Sequence, residues 1–227
     1  MSRDNESWEV LAIGGSGYVY KYKGLAYKLN CKQREFNMMQ KAGDCAVRAV
    51  ARVVTVENGW PVMKSLLMEL LAPLDIKSVK EHEKVAIKDD MIQLISRLHK
   101  KYQMVHGDIK PLNMLRCSDG KLRLCDFDSA RPIDEAPGAW DALCTHQYLA
   151  PNRDFFQTDA PPTPSDDIYA LGLSIWELYT GKQALIEELD DIEEVLKERR
   201  TVDLTEVEDQ DVRELIRGFL RQGGALV

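Results

Sequence analysis

A chain of 227 residues, 44% hydrophobic and 30% charged, is long enough for one substantial core or two small lobes and too short for accessory domains beside them. Its net charge of −7 is concentrated: between Glu187 and Glu214 thirteen acidic residues face four basic ones, leaving the remainder near +2, a surface ill suited to nucleic acid. The polar start from Met1 to Glu9 has no signal-peptide core, no apolar run approaches the roughly 18 residues of a membrane span, and five cysteines without a CxxC pair read as reduced intracellular thiols.

Strands come first. Glu9 to Ile13 and Tyr18 to Tyr22 flank Gly14-Gly15-Ser16-Gly17 in a hairpin pattern, and Leu25 to Leu29 follows Gly24. Gln33 to Ala42 has helical spacing, with Phe36, Met38 and Met39 apolar and Gly43 as the stop. Val47 to Val56 and Trp60 to Leu70 form two further strands around the turn Asn58-Gly59. From Pro73 the period changes. Asp89 to Lys101 places Met91, Ile92, Leu94, Ile95 and Leu98 on one helical face. A hairpin turns at Ser118-Asp119-Gly120, and Pro161-Pro162-Thr163-Pro164 is a rigid connector. Asp167 to Gly181 is so apolar that burial on all sides is expected. Amphipathic helices follow at Ile192 to Arg200 and Val212 to Leu220.

Between those elements lies the chemistry. Val105-His106-Gly107-Asp108-Ile109-Lys110-Pro111-Leu112-Asn113 is followed, thirteen residues after Asn113, by Asp126-Phe127-Asp128. Two carboxylates and an amide at this spacing suit phosphoryl transfer from a nucleotide: one carboxylate orients the attacking hydroxyl, and the amide and second carboxylate hold a metal on the phosphates. Asn113 and Asp126 are hard oxygen donors of the kind magnesium takes.

The two motifs resemble the catalytic loop HRDxxxxN and the DFG motif of the eukaryotic protein-kinase superfamily, with Gly107 for the usual Arg and Asp128 for the usual Gly. Fungal kinase-like proteins resemble this chain in carrying both His-Gly-Asp and Asp-Phe-Asp. The resemblance runs from about Glu9 to Leu220 and implies an α+β, bilobal fold. A small antiparallel β lobe over about 1–70 and a larger, mainly helical lobe over about 71–227 would form one minimal domain.

Residue by residue, the resemblance implies the following roles. Ala12, Gly14, Gly15, Ser16 and Gly17 would cover the phosphates, and Val19, Ala26 and Leu115 would sandwich adenine. The backbone of the linker Met68-Glu69-Leu70-Leu71 would bond the base, chiefly at Glu69 and Leu71. Lys28 of Ala26-Tyr27-Lys28 would anchor the phosphates, with Glu35 as its ion-pair partner. Asp108 would be the base and Lys110 would neutralise the transferring group. Thr145 would bond both and shape the substrate floor, His106 would pack beneath Phe127, and Asp167 would receive backbone amides of the loop.

Gly107 implies less dependence on phosphorylation of the activation segment, and Asp128 either adds a carboxylate near the metal or restricts the backbone. Asn152 replaces a Glu that in the family pairs with a distal Arg. The expected activity is serine/threonine protein kinase, with ATP and Mg2+ (or Mn2+) and a protein substrate, basic peptides included. Two rivals stay open. A small-molecule phosphotransferase of the aminoglycoside or choline kinase type shares His-Gly-Asp, and a kinase-shaped binding module would explain Ala12, Asp128 and Asn152.

Overall fold

The computed structural model describes residues 8–14, 17–136, 145–153 and 160–227. Gly15 and Ser16, expected over the phosphates, and Cys144 lie outside them.

Five strands form one antiparallel sheet in the order β1-β2-β3-β5-β4: β1 (Glu9–Gly14), β2 (Gly17–Tyr22), β3 (Leu25–Leu29), β4 (Ala49–Glu57) and β5 (Trp60–Glu69). Alternation sorts the residues of β1 to β3 onto two faces. Tyr20 and Tyr22 join Tyr27 on one face, where Trp8 stacks on Tyr22 at 4.7 Å and meets Tyr27 edge-on at 5.3 Å. On the other, Ala12 pairs with Val19 and Val19 with Lys28, two residues from Ala26. The aromatic cluster fixes the register, because a slip of one residue would turn Lys28 away from the cleft. At Asn58-Gly59 both residues have positive φ, 53° and 83°, the tight hairpin those two letters imply.

Helix α1 (Gln33–Ala42) crosses beneath the sheet with Met38, Met39 and Ala42 buried. After the short strand β6 (Ala72–Pro73), helix α2 spans Glu81–Tyr102, two turns longer at its start than the expected 89–101. The added turns bury only Ile87 among their apolar residues, so their pattern is too sparse to read. They begin where Glu83 accepts from the Lys80 amide at 3.1 Å. Two strand pairs, β7 (Met104–Val105) with β10 (Arg131–Pro132) and β8 (Met114–Arg116) with β9 (Leu122–Leu124), follow α2, and β6 adds to β8.

Helix α3 (Pro164–Thr180) starts three residues before the expected Asp167. Pro164 occupies its first turn and Thr163 caps it in a reciprocal bond with Asp166, an arrangement that favours initiation there. The helix is buried nearly all round between α2 and α5 (Gln210–Gln222). Helix α4 spans Ile192–Lys197 and stops short of Arg200, since Arg199 turns to φ 56°. Phe127, Tyr169, Met91, Leu94, Ile95 and Leu98 are wholly buried, each side chain stabilising the fold by about 1.5–3 kcal/mol. The expected α+β fold with a β-rich amino-terminal lobe and a helical carboxyl-terminal lobe is the one observed. Among the described residues no helix is long and apolar enough to cross a membrane.

Candidate active site

The loop from His106 to Asn113 joins β7 to β8 and has no sheet partner for its first amides. Asp167, in the first turn of α3, supplies one: its carboxylate accepts from the amides of His106 and Gly107, both at 2.8 Å, and from His99 Nε2 at 2.8 Å. Such a wholly buried acid is tolerable because donors surround it. This is the expected duty of Asp167, and Asp166 instead accepts from the amide and hydroxyl of the cap residue Thr163.

His106 is fully buried and meets the Phe127 ring edge-on at 4.8 Å. Its Nε2 lies 3.0 Å from the Cys125 carbonyl, which can only accept, so Nε2 carries the hydrogen and Nδ1 receives the Asp108 amide at 3.3 Å. Both nitrogens are committed to the backbone, which makes His106 a packing residue.

Asp108 is bonded through both oxygens. Its Oδ2 accepts from Lys110 Nζ at 2.6 Å and Asn113 Nδ2 at 2.9 Å, and its Oδ1 from Thr145 Oγ1 at 2.8 Å. Lys110 also donates to Thr145 Oγ1 at 2.6 Å, closing a ring of three side chains drawn from the loop and from the segment 37 residues on. The carboxylate is therefore held in one orientation.

Asn113 spends its amide hydrogens on Asp108, reaching its backbone oxygen at 2.8 Å as well, which leaves the amide oxygen as the free-standing donor to a cation. Asp126 takes the left-handed conformation, φ 61° and ψ 66°, a region that Asp enters more readily than most residues with a side chain. Its Oδ1 lies 2.6 Å from Lys28 Nζ, and Lys28 reaches Glu35 Oε1 at 2.6 Å. Burial pulls the Lys28 pKa down, but Glu35 and Asp126 together outweigh it and hold the ammonium above its ordinary 10.5. A magnesium ion fits this donor set: one amide oxygen and one carboxylate, both hard, leave its remaining positions to phosphate and water. Among the described residues no group of three or more His, Cys, Asp or Glu forms a self-sufficient metal site.

The face of the sheet toward the cleft carries Ala12, Val19, Ala26 and Lys28, and Leu115 on β8 is the residue expected below adenine. Gly14 pairs with Gly17, whose φ of 126° and position against the Leu29 carbonyl leave no room for a side chain. In the linker, the Glu69 amide is taken by the Arg48 carbonyl at 3.0 Å, and its carboxylate accepts from the Arg48 amide and from Arg123, each at 2.7 Å. Glu69 thus fastens the two lobes together, and its N–H is not offered to a base. Leu71, between β5 and β6, is half-buried, as Glu69 is.

Three partners escaped the sequence. Cys31 donates its thiol to Glu35 Oε2 at 3.1 Å, steadying the carboxylate from the side opposite Lys28. Glu177 of α3, buried, accepts from Tyr148 Oη at 2.6 Å and the Ala184 amide at 2.7 Å, tying the segment after Thr145 to the helical core. Asp128 pairs with Lys32 at 3.1 Å and so serves the entrance to α1. Only the i,i+4 spacing of Cys31 and Glu35 left any trace in the sequence.

The chain is similar in sequence to several curated protein kinases. Over 99 residues the chain is 35% identical to dual specificity mitogen-activated protein kinase kinase 7 of Homo sapiens, covering 40% of this chain and 22% of that protein. It is 33% identical over 91 residues to dual specificity mitogen-activated protein kinase kinase jkk-1 of Caenorhabditis elegans, 40% of this chain and 21% of that one. With dual specificity mitogen-activated protein kinase kinase hemipterous of Drosophila melanogaster it shares 28% identity over 156 residues, 65% and 13% of the respective chains. The matches span about a fifth or less of those relatives' lengths. The sequence model of the protein kinase domain matches residues 25–222, which hold Lys28, Glu35, Asp108, Asn113, Asp126 and Asp167, and the chain belongs to the protein kinase domain family.

Proposed function

We propose that this chain is an ATP-dependent protein kinase, a single domain whose lobes meet at the Glu69–Leu71 linker, acting on serine or threonine hydroxyls. The observation that carries the reading is the closed ring of Asp108, Lys110 and Thr145. It places a carboxylate and an ammonium together at the edge of a fixed segment, where an extended peptide can present a hydroxyl. A small-molecule phosphotransferase has no need of Thr145 or of the Tyr148–Glu177 fastening.

The acceptor hydroxyl approaches Asp108, its oxygen attacks the γ-phosphorus in line, the bond to the β,γ-bridging oxygen breaks, and ADP leaves. The hydroxyl proton passes to the Asp108 carboxylate. Lys110 offsets charge on the oxygens of the transferring group, and Lys28, set by Glu35, holds the α- and β-phosphates. Magnesium held by Asn113 and Asp126 would supply charge neutralisation across the phosphates, and manganese would suit the same oxygens. Val19, Ala26, Leu71 and Leu115 exclude water around the base. The relatives' printed dual specificity makes tyrosine the competing acceptor, and Lys110 favours serine and threonine. Four described cysteines, Cys31, Cys45, Cys117 and Cys125, are free thiols, in keeping with a reducing cytoplasmic or nuclear setting.

The test is transfer of radiolabelled γ-phosphate from ATP, with magnesium and with manganese, to a mixed basic protein substrate. Phosphoserine or phosphothreonine is expected, lost by at least about a hundredfold in Asp108→Asn and Asp126→Asn. Nucleotide binding without transfer to any protein would overturn the reading.

A further inference from the structure

Helix α1 breaks a local rule. The positive end of a helix dipole favours acids, yet Lys32 stands at the N-cap, makes no side-chain cap, and is followed by Arg34 in the first turn. The helix is ten residues long, too short to hold itself. It must nevertheless be set accurately, because Glu35 in that turn holds Lys28. Carboxylates from the segment after β9 meet the misplaced cations. Asp128 lies 3.1 Å from Lys32, and Glu135 takes Arg34 in two bonds of 2.6 and 3.0 Å. Arg34 also reaches the Ala130 carbonyl at 3.5 Å. With Lys28–Asp126 these pairs make a ladder, cations from the β-rich lobe on one side and acids from the helical lobe on the other.

Position 107 sharpens the point. A Cβ there would come within 2.8 Å of the Ser129 carbonyl and 2.9 Å of Pro162, and φ is +81°, so position 107 has no place for a basic side chain that could receive a phosphate. We propose that Asp128 and Glu135 are positioning residues which, through Lys32 and Arg34, seat α1 and keep Glu35 on Lys28 with no phosphate on the segment. The inference rests on the kinase reading above, because it assigns the ladder to the nucleotide site.

The experiment uses the full chain treated with phosphatase. Asp128→Asn, Glu135→Gln, the double variant, and the exchanged pair Lys32→Asp with Asp128→Lys are compared by hydrogen exchange, by binding of a fluorescent ATP analogue, and by kcat and KM. Each single variant is expected to speed exchange of the α1 amides and weaken nucleotide binding by about two- to fivefold, and the double variant by about the product. The amides of α3 should stay as protected as in the parent, and the exchanged pair should recover most of the loss. Unchanged α1 exchange and nucleotide affinity in the double variant would overturn the proposal, as would an exchanged pair no better than Asp128→Asn. Exchange and binding need no phosphoryl transfer, so failure of the kinase reading would show as absent turnover in the parent and leave these two readouts to judge the ladder.

Discussion

Gly107 shows how far a single letter reaches. Its φ of +81° and the Ser129 carbonyl in front of it make glycine a requirement of the backbone. Gly107→Arg restores the usual family letter, yet it is expected to lower unfolding stability by about 1–3 kcal/mol, read as a shift of the urea midpoint at unchanged slope. Lys28 makes a prediction in pH. Its folded pKa lies above the unfolded value of 10.5, so the folded state keeps the proton longer. Its contribution is therefore complete below that pH and is lost as pH rises through the folded value. The stability gap between the parent and Lys28→Met should be constant from neutrality to about pH 10 and narrow above it; a gap that widens there would contradict the ion-pair account.

The elements were legible to the degree that one stretch of sequence carried their cause. Leu25–Leu29 and Gln33–Ala42 have the bounds their alternation and spacing imply, since Gly24 and Gly43 punctuate them. The start of α2 was not legible, because a capping bond and a polar face precede the first dense apolar turn. Site residues followed the same division. Asp108, Lys110 and Asn113 lie within six positions, so spacing set them together, and Glu35, the only Glu between Lys28 and Glu57, was the partner that the resemblance implied for Lys28. Glu177 is 29 residues from Tyr148, and no periodicity links the two. Burial, opposed by the Tyr148 hydroxyl and the Ala184 amide, pushes the Glu177 carboxyl upward from 4.5. Stability from this group is thus greatest below that pH and falls as pH rises. Glu177→Gln, which keeps an acceptor for both donors and removes the charge, should hold stability within about 1 kcal/mol at pH 7, whereas Glu177→Ala orphans them and should cost about 1–3 kcal/mol per donor. Urea titrations at pH 4 and 7 would separate these outcomes.

At the scale of the molecule, the 145–153 segment is fastened to the end of the carboxyl-terminal helix by backbone, at Asn152, where the resemblance implies a Glu paired with a distal Arg. Asn152 donates its amide to the Gly223 carbonyl at 2.9 Å, and the Gly224 backbone, at φ +89°, passes so near that a Cβ would stand 2.9 Å from the Asn152 Cβ. A Cβ on Gly223 would likewise stand only 2.6 Å from the Tyr169 Cβ. Asn152 carries no charge, so its position leaves no buried carboxylate to be paired. The replacement depends on close approach and is intolerant of side chains. Gly224→Val, strained in φ and crowded, is expected to loosen the 145–153 segment together with α5 and to cost about 2–3 kcal/mol. Asn152→Ala keeps the amide and should cost less than about 1 kcal/mol. Hydrogen exchange should then show faster opening at Tyr148 to Asn152 in the Gly224 variant with α1 unaffected. A loss spread evenly over both lobes would mean that this contact stabilises the fold at large and does not brace the substrate floor.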